Sequence, residues 1–377
     1  MQIWDPQLSP SARRPKRAAL VFPLRARIRG VTTWQVLDER GVPEIPRTPS
    51  GIAIAGAEGV TGPNLLLNAG LDRFAATSYK PTSNNQNSIR RFLAVGTGSG
   101  VPDVTDTQLD NEVQRASDNG GFGFGERAWV YVSADTLWRY TGTAHRVVEM
   151  TADRNLTEYG LSSFSGANAT LSIRELLRDT GGTPITVSLV TGKKLYLQHT
   201  LIIEVPAPEA GNAGQIEIKI YDAANQLVDT LEYDVTYGPI AGPPPIGITN
   251  SVEAMFDTWD PSGSERSNNG GMRAIVSPVS WNRAPTWTTQ IEPNSSSSGV
   301  GNISNEAYLT GSYEREFRIG TTAANLNAVW YGFMVSHSNT SPSSRRGFAV
   351  LFDNPTTFEK LDTDTIEVGY ISTWNRA

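Results

Sequence analysis

Asn155-Leu156-Thr157-Glu158-Tyr159-Gly160-Leu161 is the stretch on which the reading of this chain turns. A version of it returns as Asn325-Leu326-Asn327 followed by Trp330-Tyr331-Gly332-Phe333. The first copy follows the strand-like His145-Arg146-Val147-Val148-Glu149-Met150. It leads through Leu171–Asp179 and the turn Thr180-Gly181-Gly182-Thr183 into the run Lys194–Val205. The second copy follows Tyr313–Ile319 and leads through Gly347–Asp353 into Thr365–Trp374. Both read strand, Asn-Leu turn, strand, polar loop, strand, acidic turn, strand. A duplicated antiparallel β module is the expectation. Within the first copy Leu195, Leu197, His199, Leu201, Ile203 and Val205 share one parity, which marks a half-buried strand.

Working outward, the pattern predicts a mainly β fold: two antiparallel β-sandwich domains, one or two short helices and an extended N-terminal arm. Residues 1–25 are the arm, and its prolines and lack of periodicity exclude a packed element. Residues 26–241 form the first sandwich, 242–245 (Gly-Pro-Pro-Pro) a stiff linker, and 246–377 the second sandwich. Ala26–Leu37 alternates as a strand, Asp38-Glu39-Arg40-Gly41 is a hairpin turn, and Pro43, Pro46 and Pro49 make the return an edge or a loop. Residues 64–75 read as a short strand and then a helical turn with Leu71, Phe74 and Ala75 on one face. Phe92–Val95 is a short strand running into Gly96-Thr97-Gly98-Ser99-Gly100. Residues 103–115 are expected to be helical, capped by Thr105 or Asp106, with acids early, Arg115 late, and Leu109 and Val113 facing inward. Gln215–Tyr221 and Leu227–Tyr237 form a hairpin. Ser262–Gly271 and Asn294–Asn302 are polar loops at one end of the second sandwich.

Composition narrows the function classes. With no cysteine among 377 residues, disulfides, thiolate metal sites and cysteine nucleophiles are excluded together. No apolar run approaches the roughly 20 residues that a membrane-spanning helix needs, so no membrane partner is expected. Pro6, Pro10 and Pro15 interrupt any secretory layout at the start. Seven Arg and Lys face the single acid Asp5 in residues 1–29, a net +6 that leaves −12 on the rest of a chain totalling −6. A basic arm on an acidic body suits docking onto a neighbouring subunit, through Arg13, Arg14, Lys16 and Arg17. Nucleic acid is not expected, because the arm has no aromatic stacking platform beyond Phe22.

Residues that could carry chemistry are few. The glycine-rich Gly96–Gly100 fits neither the dinucleotide fingerprint nor the lysine-bearing phosphate loop, and reads as a turn. His145, His199 and His337 stand far apart in sequence. His199, on the apolar parity, reads as a core imidazole. Asp103, Asp106 and Asp110 have calcium-ligand chemistry, but a helix start accounts for them more simply. Asp257, Trp259 and Asp260 most resemble a sugar-handling group, an aromatic face flanked by acceptors; the plainer reading is a core tryptophan with two loop acids. Neither a Gly-x-Ser-x-Gly elbow nor a His-Glu-x-x-His helix occurs. No catalytic residue, metal or cofactor is assigned.

Three segments in order carry a family resemblance: Asn64-Leu65-Leu66-Leu67-Asn68-Ala69-Gly70-Leu71-Asp72, then Val95-Gly96-Thr97-Gly98 with Val101-Pro102, then Thr107–Arg115. Asn155–Gly160 followed by Leu176-Leu177-Arg178-Asp179 and Gly182–Val187 adds to it, as does the ending Trp374-Asn375-Arg376-Ala377. Together they resemble the tail-fibre and tail-appendage proteins of tailed bacteriophages, well over residues 64–206 and less closely over 310–377. The collagen-like or coiled-coil repeats that often trimerise such fibres are missing here. The resemblance implies a non-enzymatic virion structural protein made in the host cytoplasm. It implies docking on other virion proteins by the arm, homo-oligomerisation, and contact with a host-surface glycan or protein. Capsid decoration or a head fibre is the alternative. A carbohydrate-binding or glycan-degrading module ranks third.

Overall fold

The computed structural model describes residues 20–54, 62–74, 89–116, 123–135, 137–206, 213–222, 224, 226–240, 271–275, 301–305, 309–321, 329–336, 347–357 and 365–377. Strand makes up 54% and helix 4% of them, so the chain is mainly β, as its period-two alternation requires. From the N-terminal side come β1 (Leu20–Leu37), β2 (Pro43–Glu44), β3 (Gly62–Leu66) and α1 (Asn68–Phe74). Next are β4 (Phe92–Gly96), β5 (Glu112–Arg115), β6 (Gly123–Val132), β7 (Leu137–Glu149) and β8 (Arg154–Leu156). They are followed by β9 (Glu158–Ser162), β10 (Leu171–Leu176), β11 (Val187–Leu189) and β12 (Lys194–Pro206). The rest are β13 (Ala213–Tyr221), β14 (Leu227–Ile240), β15 (Gly271–Ile275), β16 (Gly301–Asn305), β17 (Glu314–Thr321), β18 (Val329–Ser336), β19 (Gly347–Thr357) and β20 (Thr365–Arg376). Among the described residues eighteen strands join one curled sheet, while β8 and β11 pair separately.

The repeat read in the sequence is larger in the fold. In the first set β1 pairs with β12, β3 with β10, β4 with β9 and β6 with β7, each antiparallel and nested inside the previous pair. The second set nests identically: β13 with β20, β14 with β19, β15 with β18 and β16 with β17. Lateral pairs match as well, β7 with β12 and β9 with β10 in one set, β17 with β20 and β18 with β19 in the other. Four strands per copy were legible in the sequence, and the described residues show eight. Among the described residues the strand pairs of the second set close into a ring through β13–β14 and β15–β16. In the first set β4 pairs with β5 on the corresponding edge.

The two sets share hydrogen bonds. The first half of β1 lies parallel to β20, with Leu20 opposite Tyr370 and Ile28 opposite Arg376, whereas every other named ladder is antiparallel. Residues 20–25, assigned from sequence to the arm, are extended as expected but belong to this ladder. The linker 242–245 lies outside the described residues. The β13–β14 hairpin, grouped by sequence with 26–241, pairs with β20 and β19 of the second set.

The inward parity of β12 is confirmed at Leu195, Leu197, His199, Leu201 and Ile203, all buried together with Ile28, Trp34 and Val36 of β1. Fully burying one such aliphatic side chain is worth about 1.5–3 kcal/mol. Strands β4, β9 and β10 are buried at every position, so they are covered on both faces.

The helix expected over 103–115 does not form. These residues run through turns into β5, and Arg115 pairs opposite Ala94 of β4. A helix would spend its amides internally; here the amides of Asp110 and Asn111 donate to Glu158, and that of Ala116 to the Leu93 carbonyl. Leu109 still packs inward, against Leu67, Ala94 and Leu171. The short helix among the described residues is α1, where a helical turn was expected.

Candidate functional site

Glu158 and Arg174 organise the first set. They stand on adjacent strands, β9 and β10, at positions where each strand is buried on both sides. The Glu158 side chain is 0% exposed and the Arg174 side chain 3%, and Arg174 Nη2 lies 3.0 Å from Glu158 Oε2. The same guanidinium pairs with Asp106 and, at 2.8 Å, with Asp110. Burial opposes its charge, but Asp106, Glu158 and Asp110 outweigh that and raise its pKa above the ordinary arginine value. Glu158 also accepts from the amides of Gly98 (2.9 Å), Asn111 (3.0 Å) and Asp110 (3.2 Å).

This arrangement explains the glycine-rich loop. The Gly98 amide points at Glu158, and the Gly100 amide donates to Asp110 at 2.8 Å. Amides of the kind that cradle phosphates elsewhere are filled here by the chain's own carboxylates. A Cβ at Gly98 would collide with Asp110 and Glu158. Asp106 and Asp110, candidates for calcium by type, are instead counter-ions of Arg174. Asp103 accepts from the Thr105 amide and hydroxyl. Among the described residues no group of three or more His, Cys, Asp or Glu is placed to hold a metal ion.

A second buried polar group lies between β1, β7 and β12. Arg90, 1% exposed, donates to the Gly142 carbonyl at 2.7 Å and to the His199 carbonyl at 3.2 Å. Burial lowers its pKa to about 10, with Tyr140 opposing. Its Nη1 also lies 3.4 Å from His199 Nδ1. A guanidinium only donates, so Nδ1 carries the lone pair and the imidazole proton is assigned to Nε2. That Nε2 faces Gly30 and has no hydrogen-bond partner among the described residues. His199 is thus the core imidazole the sequence suggested, but only partly satisfied. Burial, and then the Arg90 charge, hold its pKa well below the ordinary 6.5.

This has a measurable consequence. An unfolded histidine gains a proton near pH 6.5 and His199 in the fold only at lower pH, so its contribution to stability is complete above pH 6.5 and is lost as pH falls toward its folded pKa. From pH 7.5 to pH 5 the loss from this one group is at most about 2 kcal/mol, the limit set by protonation of the unfolded histidine. His145 is shifted downward too, by burial and by Arg146, and adds in the same direction. Urea unfolding at the two pH values should therefore show a steeper acid loss for the wild type than for His199→Gln. Equal losses would rule His199 out as the cause.

A third group joins the two sets. Trp374, 2% exposed, donates its indole N–H to the Leu71 carbonyl of α1 at 3.0 Å. Arg376 reaches the Leu66 carbonyl at 2.6 Å and Asn68 Oδ1 at 2.9 Å. From the other set, Asp72 accepts from the Gly311 amide at 2.7 Å.

The arm residues Arg13, Arg14, Lys16 and Arg17, the group Asp257, Trp259 and Asp260, and His337 all lie outside the described residues. Glu158, Arg174 and Arg90 were not singled out by sequence reasoning. The available signal was an acid or a base inside an otherwise apolar strand run, as in Tyr159-Gly160-Leu161 after Glu158 and Leu171-Ser172-Ile173 before Arg174. No helix among the described residues is long and apolar enough to cross a membrane. No family model, no curated protein and no solved structure matches this chain.

Proposed function

We propose that the chain is a structural, non-catalytic component of a bacteriophage particle, a tail-fibre or tail-appendage protein that docks on neighbouring virion subunits through residues 1–19. The observation carrying this reading is what the fold does with the segments that resemble such proteins. The Gly96–Gly100 turn and Glu158 are committed to the Arg174 ion group, and Trp374 and Arg376 fasten the last strand to α1. Chemistry of that kind holds a shape. An appendage needs a rigid body with few open strand edges, and two interlocked sets of nested strands supply one. Virion symmetry would make the protein a homo-oligomer.

The test is a particle assay in the phage that encodes the chain. Deleting residues 1–19 while keeping β1 intact from Leu20 is expected to leave a folded protein that no longer co-purifies with particles. Gold-labelled antibody against the full chain is expected at the tail. Label over the head would replace this reading with capsid decoration. Normal incorporation of the truncated chain would remove the docking role of the arm.

A further inference from the structure

The geometry points to a binding face for a neutral oligosaccharide on the outer surface of the β1–β12–β7 sheet. Along these strands the alternate residues 32, 34, 36, 144, 146, 148, 195, 197 and 199 are buried, and the residues between them form a half-exposed grid. One cross-strand row is Thr33, Gln198 and His145; the next is Gln35, Tyr196 and Val147. On the other side of the first row Thr200 stands opposite Thr143. None of these side chains carries a formal charge in its ordinary neutral-pH form. Charged rows frame the grid: Arg27, Glu204 and Arg139 beyond one end, Lys194 and Glu149 at the other. Four of these charges are paired, with Glu204 Oε1 2.8 Å from Arg139 and also 3.2 Å from Arg29, and Lys194 Nζ 3.5 Å from Glu149.

The grid has the chemistry that a sugar ring requires. His145 and Tyr196, diagonal neighbours across two strands, stack with centroids 5.5 Å apart and planes at 24°. In such a stack each ring keeps one face turned away from its neighbour, and a ring face of that kind packs on the C–H face of a pyranose. Around it are hydroxyl and amide groups already oriented by one another: Tyr196 donates to Gln198 Oε1 at 3.3 Å, and the Thr143 and Thr200 hydroxyls meet at 3.1 Å. The position opposite His145 on β6 is Gly123, which presents no side chain to screen the ring. Paired strands hold all of these groups, so little ordering entropy remains to be lost on binding. The absence of free cations in the grid disfavours phosphate-rich ligands, and its hydroxyl-and-amide character departs from the apolar centre of a protein interface. The proposal uses none of Asp257, Trp259 and Asp260, and it stands or falls independently of a place in a virion.

The test titrates the purified full-length chain with maltohexaose, cellohexaose, xylohexaose and chitohexaose, using ligand-observed NMR and calorimetry. At least one is expected to bind, with affinity roughly tenfold weaker in Tyr196→Ala, the loss of one well-placed ring contact. Gln198→Ala serves as a second variant that keeps both rings, and it should weaken binding as well. The proposal is overturned if no oligosaccharide binds, or if binding survives both grid variants. It is also overturned if light scattering shows an oligomer that Tyr196→Ala dissociates, since the face would then be covered by a second copy.

Discussion

Replacing Arg174 with methionine is expected to destabilise the protein by about 3–5 kcal/mol, the usual cost of removing one partner from a buried ion pair. Methionine fills much of the same volume, so the loss comes from stranding Glu158, whose side chain has no exposure and retains only the amides of Gly98, Asp110 and Asn111. Asp106 and Asp110 lose their cation at the same time, and residues 97–111 lose their side-chain tether to β10, keeping the bond from the Leu171 amide to the Thr107 carbonyl. Protease cleavage within 97–111 should therefore accelerate along with the drop in the urea midpoint. Adding Glu158→Gln should recover at least about 1 kcal/mol, because the two residues act as one unit. A loss below about 1 kcal/mol for Arg174→Met, or strictly additive losses in the double variant, would show that the pair does not organise this loop.

Trp374→Ala is expected to cost about 3–5 kcal/mol, the range for truncating a buried tryptophan. Here the cavity would open where the two strand sets meet. The indole holds the end of β20 to the Leu71 carbonyl, and β20 is the strand that β1 joins in the parallel ladder. Removing it should weaken the coupling between sets as well as the packing. Calorimetry should show a lower melting temperature and a transition that broadens or splits in two. Trp374→Phe keeps most of the buried area but loses the indole N–H, and should fall between the two. A sharp transition at an unchanged temperature in Trp374→Ala would mean that the sets are held together elsewhere.

Several elements were legible without any tertiary information, for identifiable reasons. Asp38-Glu39-Arg40-Gly41 was readable as a turn because Gly41 must take a φ of 84° and Asp38 can accept from the Val42 amide four residues on. β12 was readable because Leu195, Leu197, Leu201 and Ile203 share one parity, on which His199 is the one polar residue of that run. The segment 103–115 misled for the opposite reason. Its early acids and its Leu109–Val113 spacing satisfy the rules for a helix start, and the group that overrides them, Glu158, lies 48 residues further along from Asp110. The His145–Tyr196 pair was equally hidden, since only the register of β7 against β12 places the two rings together.

Side-chain direction in a strand repeats every two residues, so local order along the chain was enough to establish a mainly β protein, the inward face of its long strands and the existence of a repeat. Strand partnership is a different kind of quantity. It depends on which distant edges meet, and nothing within residues 20–28 specifies residues 370–376 as their neighbours. The nested eight-strand sets, the shared β1–β20 ladder, the buried Glu158–Arg174 group and the uncharged outer face all follow from such long-range pairings. They exist because every strand must satisfy its backbone donors and acceptors against some edge, and the folded chain as a whole selects which one.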